Sequence, residues 1–262
     1  MQPLSGLRFA AISCLMSKNR GRGVLPSAVI FALMAGPVWP QNAGAKLPAV
    51  LTAAQIVEQM QLHNQARNEA LEHYQSLRHY KVEYLGFSKE LAGEMMVEGN
   101  FDAVSGKSFR IVSQSGSKLL CEKVLRRAMD SEKEAAQDKG ATALTAANYR
   151  FELVGAENLG ERPAYILHVE PLKPSKFLYR GKIWVDAADF ALAKVDAEPA
   201  RSPSFWIART LIRFTNTKTG DFWLPERTQS ETKVRIGGTA VLTIIYGTYQ
   251  VTPQNSQQAS IK

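Results

Sequence analysis

The chain has 262 residues, 45% hydrophobic and 21% charged, with 32 Lys and Arg against 24 Asp and Glu, for a formal net charge of +8. Four of those cations (Arg8, Lys18, Arg20, Arg22) lie in the first 45 residues, which hold no carboxylate, so the rest carries only +4 and the basic balance gives no support to nucleic-acid binding. A length near 217 residues after that segment suits one domain of sandwich or barrel type with a sizeable core, and Cys121 as its lone cysteine excludes an internal disulfide framework.

Residues 1–45 read as an export signal. The basic cluster precedes an apolar run over 24–39, and Ala43-Gly44-Ala45 supplies the small residues of a cleavage site, so the mature protein is expected to begin at Lys46 and to reside in the periplasm. A weak apolar patch over 7–15 makes Met16 an alternative initiator. The apolar run is shorter than the ~20 residues that span a bilayer and contains Pro26 and Pro37, which argues against an uncleaved anchor. No lipid-accepting Cys ends it, and Ala11-Ile12-Ser13-Cys14 follows too short an apolar stretch to serve.

Residues 51–80 read as a first helix capped by Thr52, with Ile56 and Met60 at one end of an uneven apolar stripe and Ala70, Leu71, Tyr74 and Leu77 at the other. Strand candidates follow at 80–87, 94–103 and 108–113, with Ser105-Gly106 as a turn. Ser117 then opens a second helix over 118–137, apolar on one side early and charged late. Cys121 belongs to its apolar stripe with Leu120, Val124, Leu125 and Ala128, as a small buried hydrophobe. Seven long strands are expected over 149–154, 163–170, 177–186, 190–197, 205–215, 222–235 and 239–251, each bounded by Gly, Pro, Asn or Asp turns. Residues 252–262 read as a polar, disordered tail behind a single domain over 46–251.

Roughly ten antiparallel strands and two helices predict a mainly β (α+β) fold, one large curved antiparallel sheet forming a half-open barrel with helices packed on its concave face. Alternation nominates inner rows: Tyr165, Leu167 and Val169; Trp206, Ala208, Thr210, Ile212 and Phe214; Leu242, Ile244 and Tyr246. An outer-membrane barrel is disfavoured because Glu226, Thr228, Ser230 and Thr232 alternate with Arg227, Gln229, Glu231 and Lys233, leaving no apolar row for lipid.

Gly160-Glu161-Arg162-Pro163-Ala164-Tyr165-Ile166-Leu167, then Pro171, Gly181-Lys182-Ile183-Trp184-Val185-Asp186 and Gly220-Asp221-Phe222-Trp223-Leu224-Pro225 resemble bacterial outer-membrane lipoprotein-sorting proteins of the LolA/LolB type. The resemblance implies an incomplete barrel whose concave face, lidded by helices, holds acyl chains, so the partners implied are a lipid or acylated lipoprotein and envelope membrane proteins. Tyr165, Leu167, Trp184, Trp206, Ile212, Phe214, Trp223, Ile244 and Tyr246 are the candidate cavity wall. A regulatory sensor module on the same scaffold is the alternative, and a monomer is expected.

No cofactor, metal site or catalytic residue is expected. His63, His73, His79 and His168 have no metal-ligand spacing. Ser115-Gly116-Ser117-Lys118 and Lys218-Thr219-Gly220 match two motifs of penicillin-recognising serine enzymes, but Lys-Thr-Gly lies in a hairpin turn and the intervening segment is strand-rich where those enzymes are helical. Binding rather than catalysis is the expectation.

Overall fold

The computed structural model describes residues 51–86, 90–137, 139–175, 177–202, 205–235 and 237–254. The expected export signal over 1–45 lies outside them. So does the tail beyond Gln254, whereas Thr252 and Pro253 are the last residues of a strand.

Helix α1 (Ala53–Ala70) starts where Thr52 and Gln55 form a reciprocal cap, the Gln55 backbone N–H donating to Thr52 Oγ1 at 3.3 Å and the Thr52 N–H to Gln55 Oε1 at 2.9 Å. It stops ten residues earlier than the apolar spacing suggests, because strand β1 (Leu71–Gly86) begins at once. From Tyr74 onward the buried residues recur every second position (Tyr74, Ser76, Arg78, Tyr80, Val82), and β1 finds ladder partners on both sides. Leu77, counted with the helical stripe, therefore faces away from them and is about half exposed.

Strands β2 (Glu90–Asp102) and β3 (Gly106–Gly116) complete an N-terminal meander. Ser117 then caps α2 (Lys118–Leu120), which runs through a π turn (Cys121–Leu125) into α3 (Arg126–Gln137) and the short α4 (Lys139–Thr142). Seven further strands follow: β4 (Tyr149–Leu159), β5 (Arg162–Pro171), β6 (Tyr179–Asp186), β7 (Leu192–Pro199), β8 (Ile207–Thr219), β9 (Phe222–Val234) and β10 (Gly238–Pro253). All ten form one antiparallel sheet in the order β3-β2-β1-β10-β9-β8-β7-β6-β5-β4. β3 and β4 are its two edges, so the sheet is open: a half-barrel of mainly β structure, as expected from the strand pattern. Register shifts at Ser76/Arg78, Met96/Val97, Leu153/Gly155, Ile207/Arg209 and Thr215/Asn216 bend it locally.

One face carries the core. A single cross-strand row reads Met95, Tyr80, Ile244, Thr228, Phe214, Val195, Ile183, Leu167 and Leu153 from β2 to β4. The helices cover this face in two patches. Ile56, Val57 and Met60 of α1 pack with the β4–β8 side, and Leu120, Cys121, Val124, Leu125, Ala128 and Met129 pack with β1, β2 and β10. Between the patches the face carries hydroxyls: Thr210, Thr228, Ser230 and Thr232 are buried, with Thr210 and Thr232 Oγ1 atoms 3.1 Å apart.

Gly238 sits where β10 opens beside the end of β1, at φ +145° with a would-be Cβ 2.0 Å from the Leu85 carbonyl oxygen. Gly220 in the β8–β9 turn has φ +59° but open space around it. Gly238→Ala should therefore cost ~2 kcal/mol or more and Gly220→Ala about 1 kcal/mol. Urea denaturation of both variants checks this; equal losses would contradict the close β1–β10 approach.

Candidate functional site

The inner face beneath α1 is the largest apolar floor. Tyr165, Leu167, Val169, Ile183, Val195 and Phe214 form it, with Ile212 half-buried at its margin. Four of the nine sequence candidates, Tyr165, Leu167, Ile212 and Phe214, are thus brought together here. Ile244 and Tyr246 lie on the same face but under the other helical patch.

The three tryptophans do not join them. Trp184 pairs laterally with Ile166 and Lys194, the outer-facing positions. Its indole N–H donates to Glu157 Oε1 at 2.5 Å, and Lys194 Nζ lies 4.1 Å from its ring centroid. Trp206 is not in a strand: β8 starts at Ile207, the Ile207/Arg209 shift breaks the alternation that placed Trp206 and Ala208 inside, and Trp206 is 44% exposed in the preceding turn. Trp223 donates to Asp189 Oδ2 at 3.0 Å under the Arg162 guanidinium, at the sheet's end. Strand membership was visible in sequence for Trp184 and Trp223, which alternation within their own strands turns outward; for Trp206 it was not, because the irregular start of β8 leaves no composition signal.

Helix α1 is a light cover. Beyond Ile56, Val57, Met60 and the partly buried Ala53 its half-buried residues are polar, and an open depression between it and Thr145 is lined by Gln61, Asn64, Gln65, Asn68 and Glu69. Its far end is tied by Arg67, whose guanidinium donates to the Asp189 carbonyl at 2.8 Å and the Phe190 carbonyl at 3.4 Å in the β6–β7 turn. Burial pulls the Arg67 pKa down, against the pull of Asp189 and Asp186. Phe190 holds the left-handed region at φ +46°, an unusual setting for a bulky residue, and places its ring against His63 (5.5 Å) and Tyr165 (6.4 Å). The turn itself is braced by Arg162, with bonds of 2.6 and 2.7 Å to Asp186 and 2.8 Å to Asp189, and by Lys218 at 2.8 Å from Asp189. Burial acts to raise the Asp189 pKa, but the bonds from Lys218 and Trp223 and the charges of Lys218 and Arg162 bring it below the usual value.

The second helical patch is held differently. Arg78 on β1 is 1% exposed, sandwiched between the Phe109 and Tyr246 rings at 5.1 and 4.9 Å, and both oxygens of Glu132 on α3 lie 3.2 Å from its Nη1. Lys107 of β3 reaches the same carboxylate at 2.8 Å. Gly99 on β2 makes room, since a Cβ there would lie 2.4 Å from Arg78 Nε. Burial would raise the Glu132 pKa, yet Lys107 and Arg78 bring it down to about 2. Sequence reading missed this triad because residues 71–80 were assigned to helix and Glu132 to a solvated helical half. The strand phase of Arg78, between Ser76 and Tyr80, was the available signal.

The serine-enzyme motifs are not assembled. Ser115 ends β3 and Ser117 caps α2, whereas Lys218 enters the β8–β9 turn, five strands away in the sheet order and at the opposite rim. Cys121 is buried, its thiol pKa raised by desolvation. His79 Nε2 lies 3.1 Å from Glu94.

No family model matches the chain, and no curated protein matches it. Among solved structures, a DUF1329 family protein from Desulfovibrio piger is similar over 79% of this chain and 96% of its own (12% identity, TM-score 0.42). An outer membrane lipoprotein-sorting protein domain from Vibrio parahaemolyticus covers 78% and 94% (10%, 0.39). A LolA superfamily protein from Nitrosomonas europaea covers 81% and 99% (12%, 0.36). At these identities the likeness is one of fold.

Glu132→Gln would leave Arg78 and Lys107 buried without a counter-charge and should cost about 3–5 kcal/mol. Because the folded carboxyl titrates near 2 and an unfolded one near 4.5, its stabilisation is complete above the unfolded value and is lost as pH falls from there toward 2. Thermal melts of wild type and variant should therefore converge toward pH 2; parallel curves would contradict the triad.

Proposed function

We propose that the protein is exported to the periplasm and binds acyl chains of lipids or lipoproteins on the floor beneath α1, as a carrier that performs no catalysis. The observation that carries this reading is the mismatch between floor and cover: an extensive apolar surface capped by a helix with three buried apolar side chains. Those three stabilise the closed state by ~1.5–3 kcal/mol each at most, and an acyl chain burying ~10 methylenes at ~0.8 kcal/mol each supplies a comparable amount. Cargo can therefore take the place of the helix. The Tyr179 hydroxyl, buried beside the floor with no partner among the described residues, is a donor suited to an ester or amide carbonyl of such a ligand.

Native mass spectrometry of protein recovered after export should show a chain beginning at Lys46 with co-purified phospholipid or acylated peptide. The delipidated protein should take up a fluorescent fatty acid. Ile212→Asp, with a folded circular-dichroism spectrum, should lose that uptake at least tenfold, while Trp206→Asp, in the outer turn, should retain it. Arg67→Ala removes charge-assisted bonds of ~1.5 kcal/mol or more and should speed uptake about tenfold. A clean apo mass with no uptake by wild type would overturn the carrier reading in favour of a protein-binding module.

A further inference from the structure

Antiparallel register sorts the connections between strands onto two rims. Tyr179 pairs with Pro199, Ile207 with Val234 and Gly86 with Gly238, so the β5–β6, β7–β8, β9–β10 and β1–β2 connections share one rim. The β2–β3, β4–β5, β6–β7 and β8–β9 turns occupy the other, where Asp102 pairs with Gly106, Leu159 with Arg162, Val185 with Leu192 and Thr219 with Phe222. The rims differ in chemistry. Each reversal of the second has at least one carboxylate in the turn or at its edge: Asp102, Glu161, Asp186 with Asp189, and Asp221, of which Asp186 and Asp189 are paired with Arg162 and Lys218. On the first, residues 172–178, 200–206 and 235–237 include Lys173, Arg201 and Arg235 and no Asp or Glu. Glu90, opening β2, is a carboxylate on this side, and Glu170 and Glu198, further along their strands, are matched by Arg180 and Arg209.

The cationic rim also exposes apolar side chains. Phe205 is 76% exposed, and Leu85, Leu172 and Trp206 are about half exposed. The aromatic pair is braced outward: the Phe205 and Trp206 rings meet edge to face at 5.6 Å, and the Arg235 guanidinium lies 5.2 Å over the Phe205 ring. Arg235 Nε donates to the Phe205 carbonyl at 2.8 Å, and its backbone N–H donates to the Trp206 carbonyl at 2.9 Å.

We propose that this rim docks on an anionic lipid surface, with Phe205 and Trp206 entering the headgroup layer and Lys173, Arg201 and Arg235 facing lipid phosphates. Aromatic rings with one apolar and one polar side partition to that layer, and each cation beside an anionic surface strengthens binding roughly fivefold. The opposite rim would then face away from the bilayer. This inference concerns where the protein sits and stands apart from what it carries.

Exported protein should co-sediment with phosphatidylcholine vesicles containing phosphatidylglycerol, more weakly with phosphatidylcholine alone and more weakly at high salt. Lys173→Gln with Arg201→Gln should lower partitioning roughly thirtyfold. Phe205→Ser with Trp206→Ser should abolish most of the remainder, and Asp221→Asn on the opposite rim should change nothing. A blue shift of tryptophan emission on vesicle binding should be absent from Trp206→Phe. Fatty-acid uptake in solution, measured on the same rim variants, should stay at the wild-type level, so failure of docking and failure of cargo binding are read separately. Partitioning unchanged within twofold in both double variants, or no salt-dependent binding by wild type, overturns the proposal.

Discussion

The pairing of β1 with β10 is the constraint on which the other features rest. Leu71 faces Pro253 and Gly86 faces Gly238, so the first and last strands of the domain lie side by side and join a three-stranded meander to a seven-stranded one. That ladder closes a loop of nearly the whole domain, at an entropic cost that grows slowly with loop length. Without it, β1 would be an edge and its buried row, Tyr74 to Val82, would have sheet on one side only. With it, both meanders share one inner face, and the segment between β3 and β4 is left to cover that face as helix.

The two covers are attached by different physics. α1 relies on a few apolar contacts and a guanidinium bonded to carbonyls, none of which leaves a charge stranded if the helix lifts into water. α3 contributes Glu132 to two buried cations, and lifting it would leave Arg78 uncompensated between two rings. An uncompensated buried charge costs several kcal/mol, so α3 is the costlier of the two covers to lift. The buried hydroxyls of β8 and β9 lie between them.

The uneven distribution of charge is also a product of topology. In sequence, cations and carboxylates are interspersed along the strand-rich half and look like ordinary solvated surface. Antiparallel reversal gathers every second turn at one end, and the turns that gather with Arg201 and Arg235 lack carboxylates while the others do not. The apolar face under α1 and the rim that gathers cations with exposed aromatics are thus two products of one strand order.

Strand content, turn positions, the Thr52 and Ser117 caps and the apolar first half of the second helical segment were legible from residues alone, because alternation, turn chemistry and capping are local properties. The end of α1 was not: Ala70, Leu71, Tyr74 and Leu77 fit a helical stripe as well as a strand, and partners about 180 residues away decide between them. The placing of Trp206 was likewise hidden, since the Ile207/Arg209 shift breaks the alternation there, whereas Trp184 and Trp223 follow plain alternation opposite Ile183 and Val185 and opposite Phe222 and Leu224. The sequence by itself determined an open, mainly β sheet with helical covers and an apolar row; the pairing of distant strands decided that Arg78, Lys107 and Glu132 meet and that two rims differ in charge, because proximity across a sheet is set by long-range hydrogen bonding and not by neighbouring residues.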